Sequence, residues 1–135
     1  MLFVTRLPAQ QIRLDTVFAD AEKQTRLMLQ EIPAAKAANP ALVSPRTLEN
    51  GALKLVTSKD WTSGFFPGVL WYLYEFTRKK EWKDAAIKYT ANIEKEKTNG
   101  GTHDMGFKIN CSFGNGRFRQ QIALADEAVV LRAPH

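Results

Sequence analysis

The residues able to do chemistry gather in two short stretches. One is T-H-D-M-G-F at 102 to 107, where His103, the only interior histidine, directly precedes Asp104. The other is D-W-T-S-G-F-F-P-G at 60 to 68, where Asp60 and Trp61 open a long apolar run. A carboxylate in a cleft can hold hydroxyls or move a proton, and an indole face can stack on a flat, partly apolar ring. Both have plainer readings. A lone aspartate before a helix is more often an N-cap, and a lone tryptophan is more often core. Cys111 is the only cysteine, so the chain cannot form an internal disulfide. It lies between Asn110 and Ser112 in a run rich in apolar residues, which reads better as a small core residue than as a nucleophile. His103 and the terminal His135 are the only histidines, and no paired His/Cys spacing exists. No metal and no cofactor are expected. Gly114-Asn115-Gly116 is a weak phosphate-loop signal, because no strand precedes it in the needed context.

These residues must be held by a modest framework. The chain has 135 residues, of which 44% are hydrophobic, which fits one globular domain with a packed core. A net charge of +5 suits an anionic partner only weakly, and acidic polysaccharide, acidic lipid and nucleic acid all qualify. The basic residues at 78 to 97 alternate with Glu81, Asp84, Glu94 and Glu96, the pattern of a solvated helix face rather than a nucleic-acid patch. No stretch approaches the roughly 18 apolar residues of a membrane span. The start, M-L-F-V-T-R-L-P-A, is too short in its apolar part for a secretory leader, so the expectation is a cytoplasmic protein or one whose leader is missing.

Along the chain, Leu14, Val17, Phe18, Ala21, Thr25, Met28 and Ile32 recur at helical spacing and predict a helix over 14 to 37, kinked or ended by Pro33. Residues 37 to 60 read as loop, with turn signals at Asn39-Pro40, Ser44-Pro45 and Asn50-Gly51. Pro67 and Gly68 fall where a first helical turn tolerates them, and the run from Val69 to Phe76 is apolar nearly all round, as in a buried helix. The next helix, roughly 80 to 97, has one apolar stripe: Trp82, Ala85, Ala86, Tyr89 and Ile93. Asn99-Gly100-Gly101 is expected to end it with C-cap chemistry. Residues 104 to 113 are ambiguous. Met105, Phe107, Ile109, Cys111 and Phe113 alternate with polar or small residues, and this period of two favours a strand over a helix. The last residues, 117 to 135, could form one amphipathic helix.

The two motifs D-W-T-S-G-F-F-P-G-V-L-W-Y-L-Y-E and T-H-D-M-G-F, in this order and about 40 residues apart, resemble glycoside hydrolase family 88, the unsaturated glucuronyl hydrolases. The resemblance covers roughly residues 12 to 116. It implies an all-α fold, part of an (α/α)6 barrel of six inner helices ringed by six outer ones, with only the first helical hairpins present. It makes 61 to 77 an inner helix, 80 to 97 an outer one, and 104 to 113 the next inner helix, against the period-two count. Inner helices of such a ring run the same way, so Asp60-Trp61 and His103-Asp104 are expected at one end, around one cleft.

The resemblance also implies a reaction. Family members remove a 4,5-unsaturated uronic acid from the non-reducing end of oligosaccharides made by polysaccharide lyases. An acid protonates C4, water adds at C5, and the product collapses to release the sugar. One carboxyl must donate a proton, which calls for a raised pKa, while a second stays ionised. By resemblance Asp104 is the first active-site aspartate. Its place at a helix N-terminus favours the charged form and suits the ionised partner. Trp61 lines the sugar pocket and His103 flanks it. The general acid/base aspartate is expected on a later helix, and Asp126 does not match it.

The resemblance stops near Gly116. It implies that 1 to 116 is the N-terminal part of the glycosidase domain and that 117 to 135 is a divergent tail, shifted out of frame near Arg117. An open arc of this kind should expose Val69, Leu70, Leu73 and Phe76, and the fragment should be inactive alone. The expected partner is an unsaturated oligosaccharide. An unsaturated rhamnogalacturonyl hydrolase, or a helical module that binds carbohydrate or protein without turnover, are the other readings. The H-D-M-G-F context favours glucuronyl.

Overall fold

A computed structural model describes residues 13 to 101 and 103 to 116. The N-terminal apolar stretch and the amphipathic segment 117 to 135 lie outside the described residues. Helix α1 spans Leu14–Lys36, and a hairpin of β1 (Leu42–Glu49) and β2 (Ala52–Thr57) follows. A 3-10 turn at Trp61–Gly64 then leads into α2 (Phe65–Thr77), and α3 is Lys80–Ala91. A second 3-10 turn, Glu94–Thr98, precedes α4 (Met105–Ile109), which runs on into a π turn at Asn110–Gly114. No described helix is long and apolar enough to cross a membrane.

The core lies between α2, α3 and the inner side of α1. Leu70, Trp71, Leu73, Trp82 and Ala86 are almost wholly buried. Burying each of the larger ones stabilises the fold by roughly 1.5–3 kcal/mol. Trp71 keeps its indole N–H satisfied by donating to Thr90 Oγ1 at 3.0 Å. Phe66 meets Tyr89 edge-on, and Phe18 of α1 stacks on Phe76 with ring centroids 3.7 Å apart. The predicted stripe of α3 is the buried one: Trp82, Ala86, Tyr89 and Ile93 all face inward, with Ala85 packed at the edge.

Several expectations need correction. The region read as loop contains the β-hairpin, whose Asn50-Gly51 turn takes positive φ at both residues (51° and 79°). That is the geometry a two-residue hairpin turn needs, and Asn-Gly adopts it at little cost. Pro33 does not end α1, which continues to Lys36, because a proline in the last turn removes only one of the final hydrogen bonds. Glu22, outside the predicted apolar stripe of α1, is buried all the same and accepts from the Trp82 indole N–H at 2.6 Å. Helix α3 ends at Ala91 rather than 97, so Asn99-Gly100-Gly101 does not cap it; the Asn99 side chain instead closes a turn, accepting from the Gly101 N–H at 2.9 Å. Helix α2 is not buried all round. Leu70 and Leu73 lie inside, while Phe65, Val69, Tyr72 and Phe76 form an exposed stripe at helical spacing.

Residues 105 to 116 are helical, not a strand. The reason is close packing. A Cβ on Gly68 would lie 2.7 Å from the Cys111 carbonyl oxygen, and one on Gly116 would lie 2.9 Å from the Trp71 indole. Gly64 approaches the Lys108 backbone even more closely. These three contacts advance together along both helices, so α2 and the 105–116 helix run in the same direction. The alternating apolar residues of 105 to 113 therefore do not line one face of a sheet. They divide between neighbours around a helix.

Candidate active site

The parallel pairing brings the two motif loops to one end of the bundle. Trp61 begins its 3-10 turn beside α4, and its ring lies 5.9 Å from that of Phe107. Phe65 completes the group, 5.7 Å from Trp61 and 6.0 Å from Phe107, with all three rings edge to face. Each is at least 38% exposed. Three aromatic rings that pack on each other and still face solvent form a ledge, not a core. Phe65 and Phe107 were not singled out in the sequence as site residues. The signal was present, since Phe107 closes the H-D-M-G-F motif.

Asp104 sits at the N-cap position of α4, half-buried, with its carbonyl accepting from the Phe107 N–H at 3.1 Å. Its carboxylate does not cap the helix amides. The plain capping role is thus not the one this side chain performs. His103 is exposed at the turn just before it.

Asp60 performs the capping that Asp104 does not. Its Oδ1 accepts from the Thr62 N–H at 2.8 Å and from the Thr62 hydroxyl at 2.6 Å. Its Oδ2 accepts from Arg46 Nη1 of β1 at 3.1 Å, so the hairpin is clamped to the motif loop. Partial burial pushes the Asp60 carboxyl up, but the Thr62 bonds and the charges of Arg46 and Lys108 outweigh it and hold the group below its usual range. Asp60 is therefore ionised at neutral pH.

Beneath the two loops lies a buried polar knot. Lys108 is fully buried, and its Nζ donates to the Lys59 carbonyl at 2.5 Å and lies 3.8 Å from Glu96 Oε2. Glu96 accepts from the Ser58 hydroxyl at 2.6 Å and from Asn99 Nδ2 at 2.8 Å. Ser63 in turn donates to the Ser58 carbonyl at 3.0 Å. Burial pushes the Glu96 carboxyl up, yet the Ser58 and Asn99 bonds and the charges of Lys108 and Lys95 bring it below its ordinary value. The Ser112 hydroxyl donates to the Lys108 carbonyl, where the helix widens into its π turn. Cys111 lies deeper. Burial pushes its thiol up, away from nucleophilic use.

A separate groove of about 510 Å³ runs between α1, the hairpin and α2, walled by Leu27, Met28, Leu48, Leu53 and Val69. It touches Phe65 but neither Trp61 nor Asp104, and its apolar lining offers little to a polyhydroxylated ring.

Helical hairpins with their motif loops gathered at one end define part of an α/α barrel. In structure the chain resembles the crystal structure of an unsaturated glucuronyl hydrolase specific for heparin, with a TM-score of 0.58 and 32% identity over 77% of this chain and 28% of that one. In sequence it is 56% identical over 61 residues to an unsaturated glucuronyl hydrolase of Formosa agariphila, covering 45% of this chain and 15% of that protein. It is 34% identical over 56 residues to an unsaturated glucuronyl hydrolase of a Bacillus species, covering 39% of this chain and 15% of that protein. No family model matches the sequence. The matched stretches are thus similar to unsaturated glucuronyl hydrolases, as the two motifs imply, and the aligned part spans about 15% of the length of these curated relatives.

Proposed function

We propose that the rim formed by Trp61, His103 and Asp104 is part of the sugar cleft of a glycoside hydrolase that removes a 4,5-unsaturated uronic acid from lyase-generated oligosaccharides. The observation that carries this reading is the exposed ledge of Trp61, Phe65 and Phe107, whose Phe107 lies one helical turn from Asp104. Aromatic faces stack on the apolar face of a pyranose, and a carboxylate beside them accepts from its hydroxyls. Trp61 is the platform. Asp104 is the carboxylate that holds the sugar, and His103 offers a further donor at the edge.

The chemistry divides between two kinds of carboxyl. Adding a proton at C4 and water at C5 of the double bond needs a donor protonated near neutral pH. Asp60 is held ionised by Thr62 and Arg46, so it anchors the loop rather than donating. The donor is a further carboxyl, outside this rim.

The test is a titration of the purified chain with an unsaturated chondroitin or heparin disaccharide, followed by tryptophan fluorescence and by loss of the double-bond absorbance. Quenching on binding, weakened about tenfold or more by Trp61→Ala and by Asp104→Asn, is expected; tenfold corresponds to about 1.4 kcal/mol. Absence of binding, or binding indifferent to both substitutions, would overturn the reading. Turnover abolished by Asp104→Asn would mean that this chain supplies its own proton donor. Binding without turnover would fit a cleft whose donor lies elsewhere.

A further inference from the structure

We propose that Lys108 is a positioning residue: its buried ammonium, held between the Lys59 carbonyl and Glu96, sets the spacing between the Trp61 loop and the helix that carries Asp104. The proposal rests on the cleft reading above, since it names what keeps that cleft's two halves in register.

The geometry is specific. Lys108 is one helical turn after Asp104, and its N–H donates to the Asp104 carbonyl at 3.4 Å. Its side chain turns away from solvent and reaches the backbone of Lys59, immediately before Asp60 and Trp61. One residue thus ties both motif loops together. Glu96 and Asn99 bring in the connection from α3, and Ser58 ties the same carboxylate to the end of β2. Three separate segments meet at a single buried cation.

An ordinary core would do this with apolar side chains. A fully buried lysine is expensive unless its charge is matched and its protons are accepted. Here Glu96 at 3.8 Å matches the charge and the Lys59 carbonyl accepts a proton, both groups coming from the loops and not from α4 itself. The ammonium holds only when Lys59 and Glu96 stand where they do, so it selects one arrangement of the loops over others of similar compactness. Gly64 supplies the other half of the constraint by letting the two backbones touch at Lys108.

The test separates positioning from bulk stability. Lys108→Met alone leaves Glu96 buried without its counter-charge, which destabilises the whole fold and does not isolate positioning. The informative variant is Lys108→Met combined with Glu96→Gln, which removes both charges and keeps an amide that pairs with Ser58 and Asn99. Hydrogen exchange is read at the amides of 60 to 63 and 104 to 108, with α1 and α3 as internal references. The expected result is at least tenfold faster exchange at both motif segments with unchanged protection in α1 and α3. In the folded double variant, affinity for the unsaturated disaccharide should also fall at least tenfold. Unchanged exchange at both segments would overturn the proposal, as would uniform loss across all helices. If the unsubstituted chain does not bind the disaccharide, the cleft reading fails, and the exchange pattern still decides the role of Lys108.

Discussion

Two buried carboxylates sit at opposite ends of α3 and are held in different ways. Glu22 of α1 accepts from Trp82, from Lys79 at 2.7 Å and from Arg26 at 3.2 Å. Glu96, under the motif loops, is held by Ser58, Asn99 and Lys108. Burial pushes both carboxyls up and the surrounding donors more than reverse it, so both end below the ordinary value. The cations differ. The Lys79 side chain is 49% exposed, whereas that of Lys108 is wholly buried. Water can replace Lys79 when it is lost, but nothing can replace Lys108. The α1–α3 contact is therefore tolerant, and the loop junction is all-or-none.

The largest effect should come from Lys108→Met, which strands a buried charge. A loss of about 3–5 kcal/mol in urea unfolding is expected. A smaller loss would mean that solvent reaches Glu96. Gly64→Ala comes next. The new methyl has no room against the Lys108 backbone, and a loss of about 1–3 kcal/mol is expected. The two inner helices would have to part, so the Trp61 emission should shift as well.

Acid should then act through both carboxylates. Each has a folded pKa below its unfolded one, so its contribution is complete above the unfolded pKa and is lost as pH falls through the folded pKa. Asp60 adds to the same limb. The urea midpoint should hold steady near neutrality and decline once pH drops below the ordinary carboxylate range of roughly 4. Glu96→Gln should flatten that decline. An unchanged acid slope in Glu96→Gln would place the titrating load on Glu22 instead.

The smallest effect belongs to Lys79→Met. Its ion pair is half-exposed and Glu22 keeps Trp82 and Arg26, so a change of no more than about 1 kcal/mol is expected. A loss as large as that of Lys108→Met would erase the distinction between the two carboxylates.

The helices α1, α2 and α3 were legible because apolar residues recur in them at helical spacing, whereas the end signals at Pro33 and at Asn99-Gly100-Gly101 did not mark where α1 and α3 stop. The stripe of Trp82, Ala86, Tyr89 and Ile93 is buried as its pattern demands. The hairpin was missed although Asn50-Gly51 announced its turn, since the flanking strands alternate only weakly and Pro45 argues against one. The stretch 104 to 113 misled by its period of two, because its alternate residues face different neighbours. Asp60, Trp61 and Asp104 stood out by type and motif, but Phe65, Phe107 and Lys108 did not.

The sequence alone determined where α1, α2 and α3 lie and which two motif loops form the candidate site, because helix periodicity and motif order are local properties. It could not determine that Lys108 is buried while Trp61 and Phe107 are exposed. An ammonium belongs inside only when distant groups converge to match it, and an aromatic ring stays outside only when no neighbour covers it. Ser58, Glu96 and the Lys59 carbonyl converge on Lys108 only once α2 and the 105–116 helix have packed through Gly64 and Gly68. Tertiary structure decided that convergence, and with it the spacing of the candidate cleft.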